Sequence, residues 1–152
     1  MQPRMKQPVF VIPGAMEAMQ ALHKAIENRG VPKTTFALVH MRISQINGCA
    51  VCLDLHTRPE FYAKDTDSRT LTVAGWRDSP YFTDPERAAL ALAEAVTRLP
   101  DRADPVPDDV WAEAAKHYDE SALAALLIAI SAVNVWNRLN VATRQVAGAA
   151  KR

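Results

Sequence analysis

Phe36-Ala37-Leu38-Val39-His40-Met41-Arg42-Ile43-Ser44-Gln45-Ile46-Asn47-Gly48-Cys49-Ala50-Val51-Cys52-Leu53-Asp54-Leu55-His56 carries both the helical period and every cysteine of the chain. Phe36, Val39, Ile43 and Ile46 recur at the spacing of one helix face. Asn47-Gly48 then interrupts the pattern, because both residues tolerate the left-handed conformation. A new helix is expected at about Cys49, running past His56 and kinked or limited by Pro59. On that helix Cys49, Cys52 and His56 occupy i, i+3 and i+7, which share one face.

The flanking sequence is helical too. Residues 1–13 hold three prolines and read as an extended arm. Ala15, Met19, Leu22 and Ile26 mark a first helix, which Gly30 and Pro32 end. The helix of Phe36–Ile46 then opens near Lys33 or Thr34. Downstream, Lys64 to Trp76 is weakly patterned and expected to be partly helical. Thr83-Asp84-Pro85-Glu86 combines a capping residue, a first-turn proline and a glutamate three after the cap, opening a helix that ends near Leu99-Pro100. After a loop from Asp101 to Pro107, Asp108 is expected to cap a short helix with Val110, Trp111 and Ala114. Asp119 or Glu120 starts the last helix, extending to about Val146. No segment alternates with period two, and no repeat or low-complexity tract is visible. The expected fold is therefore an all-α bundle of six or seven helices in a single domain over residues 1–152.

Composition narrows the partners. Apolar residues make up 49% and charged residues 23%, the balance of a globular domain. With 18 basic and 17 acidic side chains the net charge is +1, so neither nucleic acid nor an anionic membrane is expected to bind. Met-Lys-Gln-Pro follows the first four residues where a secretory signal would be apolar, and Ser121–Asn137, the longest uncharged stretch, is short for a span and carries Ser131, Asn134 and Asn137. A cytoplasmic location is expected. No phosphate-binding glycine loop, Ser-His-Asp order or zinc-protease motif occurs, so no cofactor is expected.

The cysteine pair points to redox or metal chemistry. Cys49 would lie in the first helical turn, where unpaired N–H groups and the macrodipole favour a thiolate. Cys52 would stand one turn from His56, within reach of a base. The two sulfurs are spaced for a reversible disulfide. Zinc is the competing use, but a closed site needs four ligands, and even with His40 the helical triad is an unusual geometry. Inert packing is the third reading. Thioredoxin-like chemistry needs a βαβ setting that the chain does not offer. Ser44 and Gln45, polar in mid-helix, are read as hydrogen-bonding near the cysteines. His23 and His117 are read as solvated. The Trp136-Asn137-Arg138 run either lines the pocket or an interface or, as the more common case, is a core Trp with Asn and Arg bonding helix ends. The apolar last helix is expected inside the bundle or against another subunit.

Arg42 to Thr57 closely resembles the core signature of the carboxymuconolactone decarboxylase-like superfamily, in its alkylhydroperoxidase D branch. Gly75-Trp76-Arg77, Phe82 to Leu90 and Asn134 to Leu139 extend the resemblance from about Ile12 over most of the chain. It implies an all-α fold assembled as trimers or hexamers, and reduction of a small hydroperoxide with an external thiol or dithiol as reductant. It implies that Cys52 attacks the peroxide, Cys49 resolves it and His56 relays the proton. The helix dipole alone favours Cys49 as the more acidic thiol. The family's relay glutamate, twelve residues before the first cysteine, is Ala37 here. His40, on the same face, is either its stand-in or a partly buried histidine bonded to a carbonyl. Pro59-Glu60-Phe61-Tyr62 departs from the family's longer helix. A cofactor-free lyase on the same fold, and a non-enzymatic redox-sensing or zinc-binding module, are the alternatives.

Overall fold

The last helix is the axis of the molecule. Asp119 caps it, its carboxylate accepting the Ala122 N–H, and the helix runs Glu120–Ala142 (α7). The computed structural model describes residues 1–56, 58, 68–100 and 102–148. Within these, the other helices are Ala15–Ala25 (α1), Lys33–Asn47 (α2), Ala50–His56 (α3), Ser68–Thr72 (α4), Asp84–Thr97 (α5) and Asp108–His117 (α6). Two 3-10 segments, Pro8–Phe10 and Val73–Asp78, complete the order, and the described residues contain no strand. The expected all-α bundle is what the chain forms. The Pro59-Glu60-Phe61-Tyr62 run lies outside the described residues.

α2, α5 and α7 pack on one another, with α6 against α5 and α1 against α7. Alanines make the close approach possible. Ala88, Ala89 and Ala93 of α5 and Ala122, Ala125 and Ala129 of α7 are buried beside Val39, Ile43, Leu92, Leu126 and Ile130. Each of the large aliphatic side chains buried there contributes roughly 1.5–3 kcal/mol. A second cluster forms on the other side of α2, where Leu38 and Met41 meet Val73, Trp76, Phe82 and Leu90. α2 is thus buried on two faces, which is why its apolar residues exceed the single stripe read from the sequence. α7 is long and apolar enough to cross a membrane by length and composition, exceeding the uncharged stretch from which the sequence reading set a span aside. More than half of that apolar window is buried within the bundle, so it serves here as the core helix.

The helix ends follow local chemistry with four shifts. Thr83 and Glu86 form the expected capping box at the start of α5. α6 is capped not by Asp108 but from Pro107, with Asp108 and Asp109 in the first turn against the helix dipole. α1 ends at Ala25, before Gly30, and α7 ends at Ala142, short of Val146. α3 begins at Ala50, one residue later than expected, and that single step makes Cys49 its cap.

One buried carboxylate ties the second cluster to the bundle. Glu94 of α5 accepts from Arg42 at 2.6 Å and from the Trp76 indole, Arg77 and Arg98 at 3.0 Å. Burial pushes its pKa up, but the bonds from Trp76, Arg42 and Arg77 more than offset this and hold it at about 2. Arg87 closes the same region by donating to the carbonyls of Trp76, Arg77, Ser79 and Phe82. Glu94→Ala leaves the Arg42 guanidinium and the Trp76 N–H buried without their acceptor. A loss of about 2–4 kcal/mol in urea unfolding is expected; a variant as stable as the parent contradicts this role.

Candidate active site

Gly48 sets the site. It ends α2 in the left-handed conformation at φ 64°. The Gly48 N–H bonds the Gln45 carbonyl at 3.4 Å and the Cys49 N–H bonds the Ser44 carbonyl at 3.0 Å. This paired closure satisfies two carbonyls at the end of α2 and turns the chain directly into α3. Cys49 then acts as the cap of α3: its carbonyl accepts from Leu53 at 3.0 Å and its sulfur from the Cys52 N–H at 3.3 Å. A sulfur thus does what a serine hydroxyl does at most helix starts.

Cys49 and Cys52 are joined as a disulfide, their Cα atoms 5.3 Å apart. Both are buried. α7 supplies the polar surroundings. Asn137 Nδ2 lies 3.1 Å from the Cys52 sulfur, and Asn140 Nδ2 lies 3.3 Å from Cys52 and 3.6 Å from Cys49. Asn137 also donates to Ser44 at 3.2 Å, which gives that serine the hydrogen-bonding part expected of it. Gln45 accepts from Arg42 at 3.4 Å. An open cleft of about 170 Å³ runs over Cys49, bordered by Ala50, Asn140, Val141, Arg144 and Gln145.

The histidines form a row. His56, the last residue of α3, is buried, and its ring lies 5.9 Å from that of His40 on α2, edge to face. His40 lies 6.2 Å from His23 of α1. Burial holds His56 at about pKa 4. Burial, with the neighbouring His56 and His23, holds His40 at about 3. At neutral pH both are therefore uncharged imidazoles. The structure therefore brings His40 to His56, as well as Cys49 to Cys52.

Two readings are corrected. His23 is not a freely solvated surface residue: it is half-buried at the end of the row, and burial lowers its pKa. Asn137 does not bond a helix end; it is fully buried against Ser44, Asn47 and Cys52, while Arg138 is exposed. The sequence reading missed Asn47, Asn140 and Gln7. Their signal was available in part, since Asn134, Asn137 and Asn140 recur every three residues along an apolar helix. Amides on one buried stripe must find partners.

Comparison with known proteins follows the same lines. Residues 13–95 match the Carboxymuconolactone decarboxylase family. The uncharacterized protein YdfG of Bacillus subtilis is 33% identical over 132 residues, covering 87% of this chain and 88% of its own length. Alkyl hydroperoxide reductase AhpD of Beijerinckia indica is 45% identical over 49 residues, 32% of this chain and 27% of its own. A crystal structure from Agrobacterium tumefaciens, of a protein of unknown function regarded as a candidate AhpD antioxidant defence protein, superposes with a TM-score of 0.85 at 29% identity. That match covers 96% of this chain and 98% of the other. The debrominase Bmp8, bound to 2,3,4-tribromopyrrole, shares the fold at a TM-score of 0.79 and 23% identity, over 93% of this chain and 75% of its own.

The histidine row makes stability depend on pH. Both folded pKa values lie below the ordinary 6.5, so above pH 6.5 folded and unfolded states are equally neutral and stability is complete. As pH falls below 6.5 the unfolded chain takes up protons that the folded one refuses, and stability is lost progressively toward pH 4. For His56 alone the loss is on the order of 3 kcal/mol. Thermal unfolding should show the midpoint falling between pH 6.5 and 4, less steeply in His40→Gln. A flat midpoint over that range contradicts the burial of these rings.

Proposed function

The chain belongs to the carboxymuconolactone decarboxylase family, and on that premise we propose that it is a cofactor-free thiol peroxidase of the alkylhydroperoxidase type. The observation that carries this reading is the joined sulfur pair at the start of α3 with an uncharged imidazole one turn further along. Peroxide reduction needs a thiolate, a second thiol within bonding reach and a proton carrier, and on this reading Cys52, Cys49 and His56 supply them.

In the reduced enzyme, His56 takes the proton of the Cys52 thiol. The Cys52 thiolate attacks the outer oxygen of a hydroperoxide and the O–O bond breaks. The departing alkoxide recovers the proton from His56 as an alcohol, leaving a sulfenic acid on Cys52. Cys49 attacks that sulfur, hydroxide leaves with the Cys49 proton as water, and the disulfide forms. An external dithiol, or two thiols, returns two electrons and two protons. Cys52 is assigned as attacker because two side-chain amides face its sulfur as well as the histidine one turn away. His40, packed against His56, takes the outer place that Ala37 leaves empty of a carboxylate.

Exposed Ile128, Val135 and Val141 on α7 add a homo-oligomer, a trimer or hexamer, to the proposal. Light scattering should give three or six chain masses, and a single chain mass contradicts it.

The catalytic reading is tested by mixing pre-reduced protein with one equivalent of cumene hydroperoxide and following thiols and intact mass. Wild type should lose two thiols and two hydrogens. Cys49→Ser should trap a sulfenic acid on Cys52, and Cys52→Ser should react slowly. Thiols that survive hours of exposure would overturn the proposal.

A further inference from the structure

The buried amides along α7 are oriented by one group that cannot turn round. Asn134 Nδ2 donates to the backbone carbonyl of Ile130 at 3.0 Å and to Thr97 Oγ1 at 3.2 Å. A carbonyl only accepts, so the Asn134 amide is fixed with its oxygen facing α2. That oxygen takes one hydrogen of the Asn47 amide at 2.9 Å, and Asn137 Oδ1 takes another, also at 2.9 Å. With its oxygen occupied in this way, Asn137 presents its NH₂ to Ser44 and to the Cys52 sulfur. The polarity set at Ile130 is thereby passed through three amides to the reacting atom.

The second amide at the sulfurs is held from the opposite side. Gln7, on the N-terminal arm, donates from Nε2 to Asn140 Oδ1 at 2.6 Å. The arm is itself tied to the end of α7, through the Arg4 N–H to the Thr143 carbonyl at 2.8 Å and Gln145 to the Met5 carbonyl at 2.9 Å. Asn140 is left to present its NH₂ to both sulfurs. Reversing either amide would aim a carbonyl oxygen at a developing negative charge.

We propose that Asn137 and Asn140 form an amide cradle that stabilises the Cys52 thiolate, with Asn134, Asn47 and Gln7 as positioning residues that keep the N–H groups aimed at the sulfur. The cradle serves the cycle twice. It holds the thiolate that attacks the peroxide, and it holds the same thiolate when reduction expels Cys52 from the disulfide. It also decides between the cysteines: the dipole argument favours Cys49, but Cys49 receives one backbone N–H and the longer of the Asn140 contacts, whereas Cys52 receives two side-chain donors. Hydrogen bonds to a charged acceptor are the stronger kind, so the two donors act on the thiolate more than on the thiol. The inference rests on the thiol reading of the pair, but not on peroxide being the substrate.

The test is a titration without peroxide. In a Cys49→Ser background, where serine keeps the helix cap, Cys52 is the single thiol and its alkylation rate by iodoacetamide is followed against pH. Asn137→Leu and Asn140→Leu should each raise the midpoint by about one pH unit. Gln7→Ala touches neither sulfur and lies outside the helical bundle, so it remains informative if the core variants do not fold. It should move the midpoint in the same direction by less. An unmoved midpoint in folded Asn137→Leu and Asn140→Leu overturns the cradle, and an unmoved midpoint in Gln7→Ala overturns the positioning from the arm. A raised midpoint in protein that ignores hydroperoxide would leave the cradle standing and remove only the peroxidase reading.

Discussion

A left-handed turn at Gly48 is the constraint from which the site follows. With φ at 64°, the residue ends α2 and hands the chain to α3 with Cys49 in the cap position. A Cβ placed on Gly48 would meet no atom within 4 Å, so glycine is required by backbone conformation and not by crowding. An ordinary residue there costs roughly 1–2 kcal/mol. If α2 continued instead, Cys49 would lose its capping place and both sulfurs would rotate away from α7. One dihedral thus aligns the cysteines, the following histidine and the amides that face them.

Around that turn the molecule separates two kinds of interior. α5 and most of α7 meet through alanine and aliphatic side chains, which need no partners and allow the helices to close up. Two networks of buried polar groups tie the helices together. Glu94 holds the arginines and the indole on one side of α2, and the asparagines hold α2 and α3 to α7 on the other. Such networks are costly when half-made, so their members are coupled: the orientation of one amide determines the next. The same seam that locks the helices together also sets the electrostatic environment of the sulfurs. Structure and chemistry share these residues, and a change at Asn47 or Asn137 touches both.

Much of this was legible in the sequence because the governing signals are local. The period of Phe36, Val39, Ile43 and Ile46, the break at Asn47-Gly48 and the box at Thr83 and Glu86 each act within a few residues, and each is found where the pattern puts it. The same holds for Cys49 and Cys52, whose closeness needs only one turn of chain. What escaped was non-local. Gln7 reaches Asn140 across most of the chain, and Arg42 reaches Glu94 from another helix; no spacing rule reports such pairs. His23 looked solvated because charged residues stand near it in sequence, while in space its ring lies against that of His40. The cap of α6 slipped by one residue because Pro107 already supplies the extended backbone that precedes a helix.

The most direct test of the central claim is the reduction potential of the Cys49–Cys52 pair in the intact protein. The protein would be equilibrated across a series of dithiothreitol redox buffers, quenched by alkylation and read by intact mass. A cycling dithiol gives one reversible two-electron transition, with both thiols appearing together and the helical fold retained on each side. Thiols that stay free in the most oxidising buffer, or a reduced form that cannot be reoxidised, would contradict a redox role for this site.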